Sequence, residues 1–190
     1  MKRFAVLLIG ILLVMGVSSS LTFGLPPYPA PIITATVSNV VDGETIDVEV
    51  VAITGDQVIV MIDAQGKITS AFRFPDWCPV DVGEQVQVRY IGITVPEKAS
   101  PFNELLVAGK TVYLELDLAH WDDEHRLFAY AYLDAEGYLM VNAILVGMGF
   151  ANVVPDTLNY RYANILQGLA EKAKELKLGF GYSSLIFNGE

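Results

Sequence analysis

Cysteine is almost absent. Cys78 is the only one in 190 residues, so no disulfide can form within the chain and packing alone must hold the fold together. It sits between prolines in Pro75-Asp-Trp-Cys-Pro79, where a half-buried small hydrophobe is the default and a nucleophile the exception. Positive charge is scarce too. Twelve Lys+Arg face 22 Asp+Glu, a net charge of −10, and the cations never gather into a run. Proteins that bind nucleic acid draw much of their affinity from basic surface, so any polyanion must be held here by a few local cations or by a bound metal. Histidine is limited to His120 and His125, which bracket Trp-Asp-Asp-Glu. With no cysteine or further histidine to complete a transition-metal site, that stretch reads as a solvated acidic loop.

What is present begins with Lys2 and Arg3, followed by an apolar or glycine run from Phe4 to Val17. About fourteen residues match a signal h-region and are too few for an ordinary bilayer-spanning helix. Ser18, Ser19, Ser20, Thr22 and Gly24 provide small residues for cleavage after Ser20 or Gly24, and the lack of a cysteine there excludes a lipid-modified Cys anchor. Residues 1–24 are expected to be a signal peptide or membrane-targeting segment, and the product exported: secreted, extracytoplasmic, or membrane-tethered if the segment stays on. No other membrane contact and no protein partner are expected. Without Lys2 and Arg3 the balance is 10 basic against 22 acidic side chains, net −12. Residues 25–31 read as a proline-rich, extended spacer. Residues 32–182 suit one domain with a genuine core, and residues 183–190 form a tail.

Within the domain, β signals come first. Ile33–Val41, Thr45–Ile53, Val86–Val95, Thr111–Leu116 and Arg126–Leu133 have the β-branched or alternating pattern of strands, with a turn at Asp42-Gly43. Val58–Ile62 and Ile68–Phe74 flank Asp63-Ala-Gln-Gly66 as a further hairpin, and Tyr138–Met140 follows the Asp134–Gly137 turn. Helices are expected over Pro101–Ala108, over Val141–Met148, and over roughly Leu158–Leu178 with Asp156 or Thr157 as cap. In the last, Tyr162, Ile165, Leu166, Leu169, Ala173 and Leu176 repeat at the spacing of one buried face. Strands followed by helices give an α+β class, and short strands of this kind commonly close into a small barrel.

Three segments carry chemistry: Asp42-Gly-Glu-Thr45, with its two carboxylates; Arg89-Tyr-Ile-Gly-Ile-Thr-Val-Pro-Glu97; and Arg126 at the end of the acidic loop. Strict alternation would set Arg89 and Glu97 on one face, with Pro96 bending the chain between them. Together with Gly109-Lys-Thr-Val112, Arg126-Leu-Phe-Ala-Tyr130, Leu139-Met-Val-Asn142 and Tyr162-Ala163, these segments follow one order. In that order the chain resembles the staphylococcal nuclease (thermonuclease-like) family over about Thr34–Tyr182.

The resemblance implies a five-stranded oligonucleotide/oligosaccharide-binding (OB) barrel with three helices. It also implies calcium-dependent hydrolysis of DNA or RNA phosphodiesters leaving 3′-phosphate ends, with nucleic acid as the substrate partner. Carried over by position, it makes Glu97 the general base and Arg89 and Arg126 the two phosphate-gripping guanidiniums. Ca2+ would fall to Glu44 and the backbone carbonyl of Val95, with Thr94 where the family has a second carboxylate and Asp42 behind them. The chemistry asks for such groups, because phosphoryl transfer spreads charge over oxygens that planar guanidiniums stabilise bidentately.

Three departures from the family pattern bear on activity. Glu44 replaces a shorter Asp, and Thr94 removes a carboxylate, so a weakened or altered metal site is expected, since calcium gains affinity from ligand charge. Asp123 and Glu124 stand where the family has basic and aromatic residues and would repel a flanking phosphate. Between Thr45 and Arg89 lie 43 residues, more than the family's usual hairpin, so residues 56–80 form an insertion near the site. The alternative to an active hydrolase is a catalytically impaired binding or scaffold module on the same fold.

Overall fold

The computed structural model describes residues 32–54, 58–62, 65, 67–73, 78–155 and 158–180. The 1–24 segment, the 25–31 spacer, the 183–190 tail and the Asp156/Thr157 cap therefore lie outside the described residues. Among the described residues no helix is long and apolar enough to cross a membrane.

Strand alternation sets the barrel. In β1 (Ile32–Val40) Ile33, Ala35 and Val37 point inward; in β2 (Thr45–Thr54) Ile46, Val48 and Val50 do so. After β3 (Val58–Ile62) and β4 (Ile68–Arg73), β5 (Gln85–Tyr90) turns Val86, Val88 and Tyr90 to the same interior. Each such Val or Ile side chain taken fully out of water contributes roughly 1.5–3 kcal/mol. With β7 (Thr111–Glu115) and β8 (Leu127–Tyr132), the strands close in the order β1-β2-β5-β8-β7. Every junction is antiparallel except β5 with β8, which run parallel. Closure leaves no barrel strand with an unpaired edge. The expected α+β barrel with three helices is what the chain forms, and β3 and β4 make a separate two-stranded sheet between β2 and β5.

The span Val86–Val95 is not one strand. It breaks after Tyr90, turns through Gly92 at φ 74°, and resumes as the short β6 (Ile93–Thr94), which pairs with β9 (Asn152–Val153). A positive φ is strained for any residue with a Cβ, so the glycine is where the chain can bend. Tyr138–Met140 is not a strand either; Met140 makes a single bridge to Tyr132.

The helices are α1 (Ser100–Val107), with Pro101 in its first turn, α2 (Val141–Gly147) and α3 (Ala163–Glu175). A 3-10 turn at Glu97–Ala99 precedes α1. The last helix begins at Ala163 rather than near Leu158, with no side-chain cap, because Asn159, Arg161 and Tyr162 are drawn to Ala119, Asp117 and Glu115. Its buried face is also narrower than the periodicity implies: Leu166 and Ala173 are buried, whereas Ile165 and Leu176 are exposed. Lys172 and Lys174 lie in its last turn, where the helix dipole favours cations.

Candidate functional site

The parallel junction positions two arginines. Register pairs Val88 with Leu127 and Arg89 with Phe128, so Arg89 near the end of β5 and Arg126 just before β8 come out on the same side of the sheet. Both line one cavity of about 260 Å³, together with Phe128 and the carboxylate residues Asp122, Asp123 and Glu124. Ile93 and Val154 give it an apolar flank.

Arg89 is opposite Thr45 in the β2–β5 register and meets the preceding residue, with Nη2 2.7 Å from Glu44 Oε1. The other oxygen of Glu44, Oε2, accepts the backbone N–H of Val95. Glu44 is 8% exposed, so both its oxygens are committed in a place water scarcely reaches. The turn that presents it is fixed from several sides. Glu44 N–H donates to Asp42 Oδ1 at 2.8 Å, and Tyr90 N–H to Glu44 O at 2.9 Å. Asn103 Nδ2 donates to Asp42 O at 2.8 Å, while Tyr90 Oη donates to Asn103 Oδ1 at 2.9 Å. A Cβ on Gly43 would stand 2.2 Å from Val95 Cγ1, so only glycine lets the turn lie this close to residue 95.

Arg126 is held by its own loop. Its Nε is 2.6 Å from Asp122 Oδ2 and its Nη1 2.9 Å from Glu124 Oε2. Asp122 Oδ1 accepts the backbone N–H groups of Glu124 at 3.0 Å and Arg126 at 2.8 Å. Burial would raise the Asp122 carboxyl, but those hydrogen bonds and the Arg126 charge hold it below the usual carboxylate range. His125 adopts φ 60° within this loop and stacks on Trp121, ring centroids 4.5 Å apart. His120, depressed by burial, is a poor cation.

Glu97 is placed differently. It opens the 3-10 turn after Pro96, is exposed, and does not line the cavity; among the described residues its carboxylate has no hydrogen bond or ion pair. The break at Gly92 removes the alternation that would have set it on Arg89's face. Thr94 is half-buried in β6, and Asp42 is exposed at the turn.

The donor set does not fit calcium, which takes about six to eight oxygens and favours charged ones. Glu44 has both oxygens engaged, Thr94 has no charge, and Asp42 Oδ1 already binds a backbone N–H. Thr45 Oγ1, buried without a hydrogen-bond partner among the described residues, adds one neutral oxygen at most. Among the described residues no group of three His, Cys, Asp or Glu side chains is placed to hold a metal.

Tyr130 and Tyr132 are buried structural groups, and Phe150 stacks on Phe102 with centroids 3.6 Å apart, whereas Phe128 and Tyr90 line the cavity. Cys78 is half-buried against the core, its thiol pushed up by burial. Sequence reasoning passed over Asp122, because in a loop no helical or strand period marks it as the partner of Arg126. It also passed over Arg161, which closes from the surface over the buried Glu115 and Asp117. Arg161 Nη1 pairs with Glu115 Oε1, Tyr132 Oη donates to Glu115 Oε2 at 2.7 Å, and Arg161 N–H donates to Asp117 Oδ2 at 3.0 Å.

A sequence model of the family described as staphylococcal nuclease homologue matches residues 78–181, more than half of the chain. No curated protein matches it.

Proposed function

The chain belongs to the staphylococcal nuclease homologue family, and from that membership we propose an exported phosphodiester hydrolase acting on DNA or RNA. One observation carries the reading: Arg89 and Arg126 reach a single cavity from adjoining parallel strands. Two guanidiniums so placed can grip the non-bridging oxygens of one phosphoryl group and stabilise the charge that builds there. The scissile group would sit between the two guanidiniums. Glu97, exposed at the start of the 3-10 turn, is the carboxylate assigned by position to take the proton of the attacking water, a contribution of ~10²–10⁴ in rate once substrate brings the two together. Calcium is not written into these steps, because the donors do not fit it. Export rests on Lys2-Arg3 and the apolar run behind them.

A second reading, nucleic-acid binding without turnover, is favoured by the cavity lining, which holds both guanidiniums but not Glu97. Incubating the protein with DNA and RNA, with calcium and with chelator, separates the two. Cleavage that Arg126→Ala and Glu97→Ala each reduce by at least about 10² supports the hydrolase. Cleavage indifferent to both substitutions sinks it, and binding without cleavage leaves the second reading.

A further inference from the structure

We infer that the Arg89 guanidinium, clamped by Glu44, supplies the fixed positive charge that a divalent cation would otherwise bring, so that this site takes a phosphate-bearing ligand without a metal. The inference rests on the phosphodiester reading only for the identity of that ligand.

The argument begins with Glu44. Each carboxylate oxygen keeps a second lone pair, but here Arg89 Nη2 and the Val95 N–H hold one oxygen each, so a metal approaching Glu44 would meet the like charge of a guanidinium already in contact. Neither partner is loosely placed. Arg89 lies in β5, in register with Thr45, and Val95 follows β6. The turn cannot back away to free the carboxylate, because Gly43 is pressed against Val95 and the Tyr90–Asn103–Asp42 chain ties its other side. A cation entering here would have to displace Arg89, and it would gain no second charge from Thr94.

The remaining donors of Arg89 then matter. A guanidinium has five N–H groups. With one nitrogen on Glu44, the rest of the fork makes no other bond among the described residues, and Arg89 lines the cavity that Arg126 also lines. An anion bridging the two finds Arg89 already fixed in direction, and it displaces only the exposed Glu124 from Arg126. Orientation and charge, the two services of a bridging metal, come from side chains.

The test uses the full chain and two probes, calcium chloride alone and a short fluorescent oligothymidylate. Calorimetric titration with millimolar calcium is expected to give no saturable heat and no change in melting temperature. The oligonucleotide is expected to bind with an affinity that calcium and chelator alter by less than about twofold. Glu44→Gln, its fold checked by circular dichroism, should tighten oligonucleotide binding by about three- to tenfold, because it releases Arg89 from a competing negative charge. Saturable calcium binding that Glu44→Gln abolishes overturns the inference, as does calcium tightening oligonucleotide binding by about tenfold or more. Should the oligonucleotide fail to bind under all conditions while calcium also fails to bind, the nuclease reading falls, and Glu44 still stands as the partner of Arg89 rather than a metal ligand.

Discussion

Asp122 grips Arg126 at two points, taking Nε–H on Oδ2 at 2.6 Å and the backbone N–H on Oδ1 at 2.8 Å. The pair points one edge of the guanidinium back into its own loop, while Nη1 meets the exposed Glu124 beside the cavity. The folded state lowers the Asp122 value, so its contribution to stability is present above the unfolded carboxylate value of about 3.9 and is lost as pH falls through the lower folded one. The difference in stability between the parent chain and Asp122→Asn should therefore stay constant from neutral pH to about 4 and shrink only below it. Denaturant melts across that range check this, and a difference that vanishes by pH 5 contradicts it.

Glu124 is the weaker partner of Arg126. Its side chain is 71% exposed, and ion pairs in water contribute little. Glu124→Gln is expected to change stability by less than about 0.5 kcal/mol while raising oligonucleotide affinity a few-fold. Equal affinities for the two proteins at low salt would show that Glu124 does not compete with the ligand.

Arg161 is the counter-charge for Glu115 and Asp117, which are 2% and 8% exposed. Burial alone would lower the guanidinium value, but the two carboxylates more than offset it and raise it. Arg161→Ala should destabilise by about 2–4 kcal/mol, somewhat less than for a fully buried pair, because part of the Arg161 side chain faces water. Adding Glu115→Gln should recover a good part of the loss by removing the stranded charge, a coupling that a double-mutant cycle measures.

Alkaline pH tests the same group. Tyr162 Oη lies 2.9 Å from Glu115 Oε2, and burial followed by the charge of Glu115 pushes the phenol up to about 12. A raised value stabilises the fold fully below the unfolded phenol value of about 10, and that contribution disappears as pH climbs through about 12. Tyr90, Tyr130 and Tyr132, raised first by burial, shift in the same direction. Ultraviolet titration should show these phenols ionising late, together with unfolding, whereas Tyr162→Phe should lose the Tyr162 share of that pH dependence.

Strand alternation made the barrel legible, because Ile33, Ala35 and Val37 and their counterparts announce one buried face. The paired arginines were legible through the motifs around them. What alternation could not convey is the break in the stretch beginning at Val86, where Gly92 at a positive φ ends the period, so that counting by twos no longer relates Glu97 to Arg89. Nor could it convey the late start of α3. The residues before Ala163 carry apolar periodicity, yet Asn159 and Arg161 are spent on contacts with Ala119, Glu115 and Asp117, forty or more positions away in sequence. Local pattern says which face is apolar; it does not report which distant group a polar residue will meet.

The extra hairpin between β2 and β5 leaves the barrel where the two strands are already clasped. Val50 N–H donates to Glu84 O at 2.9 Å, Gly83 N–H donates to Val50 O at 2.8 Å, and Glu49 is in register with Gln85. Its ends meet at that clasp, and lengthening or shortening a loop whose ends are already joined changes its closure entropy only slowly. Cys78 and Val80 at its returning end pack with the core, so the detachable part is the pair of strands β3 and β4. The barrel can carry, exchange or lose them without moving Arg89, and evolution or an engineer has a socket there for new recognition surface.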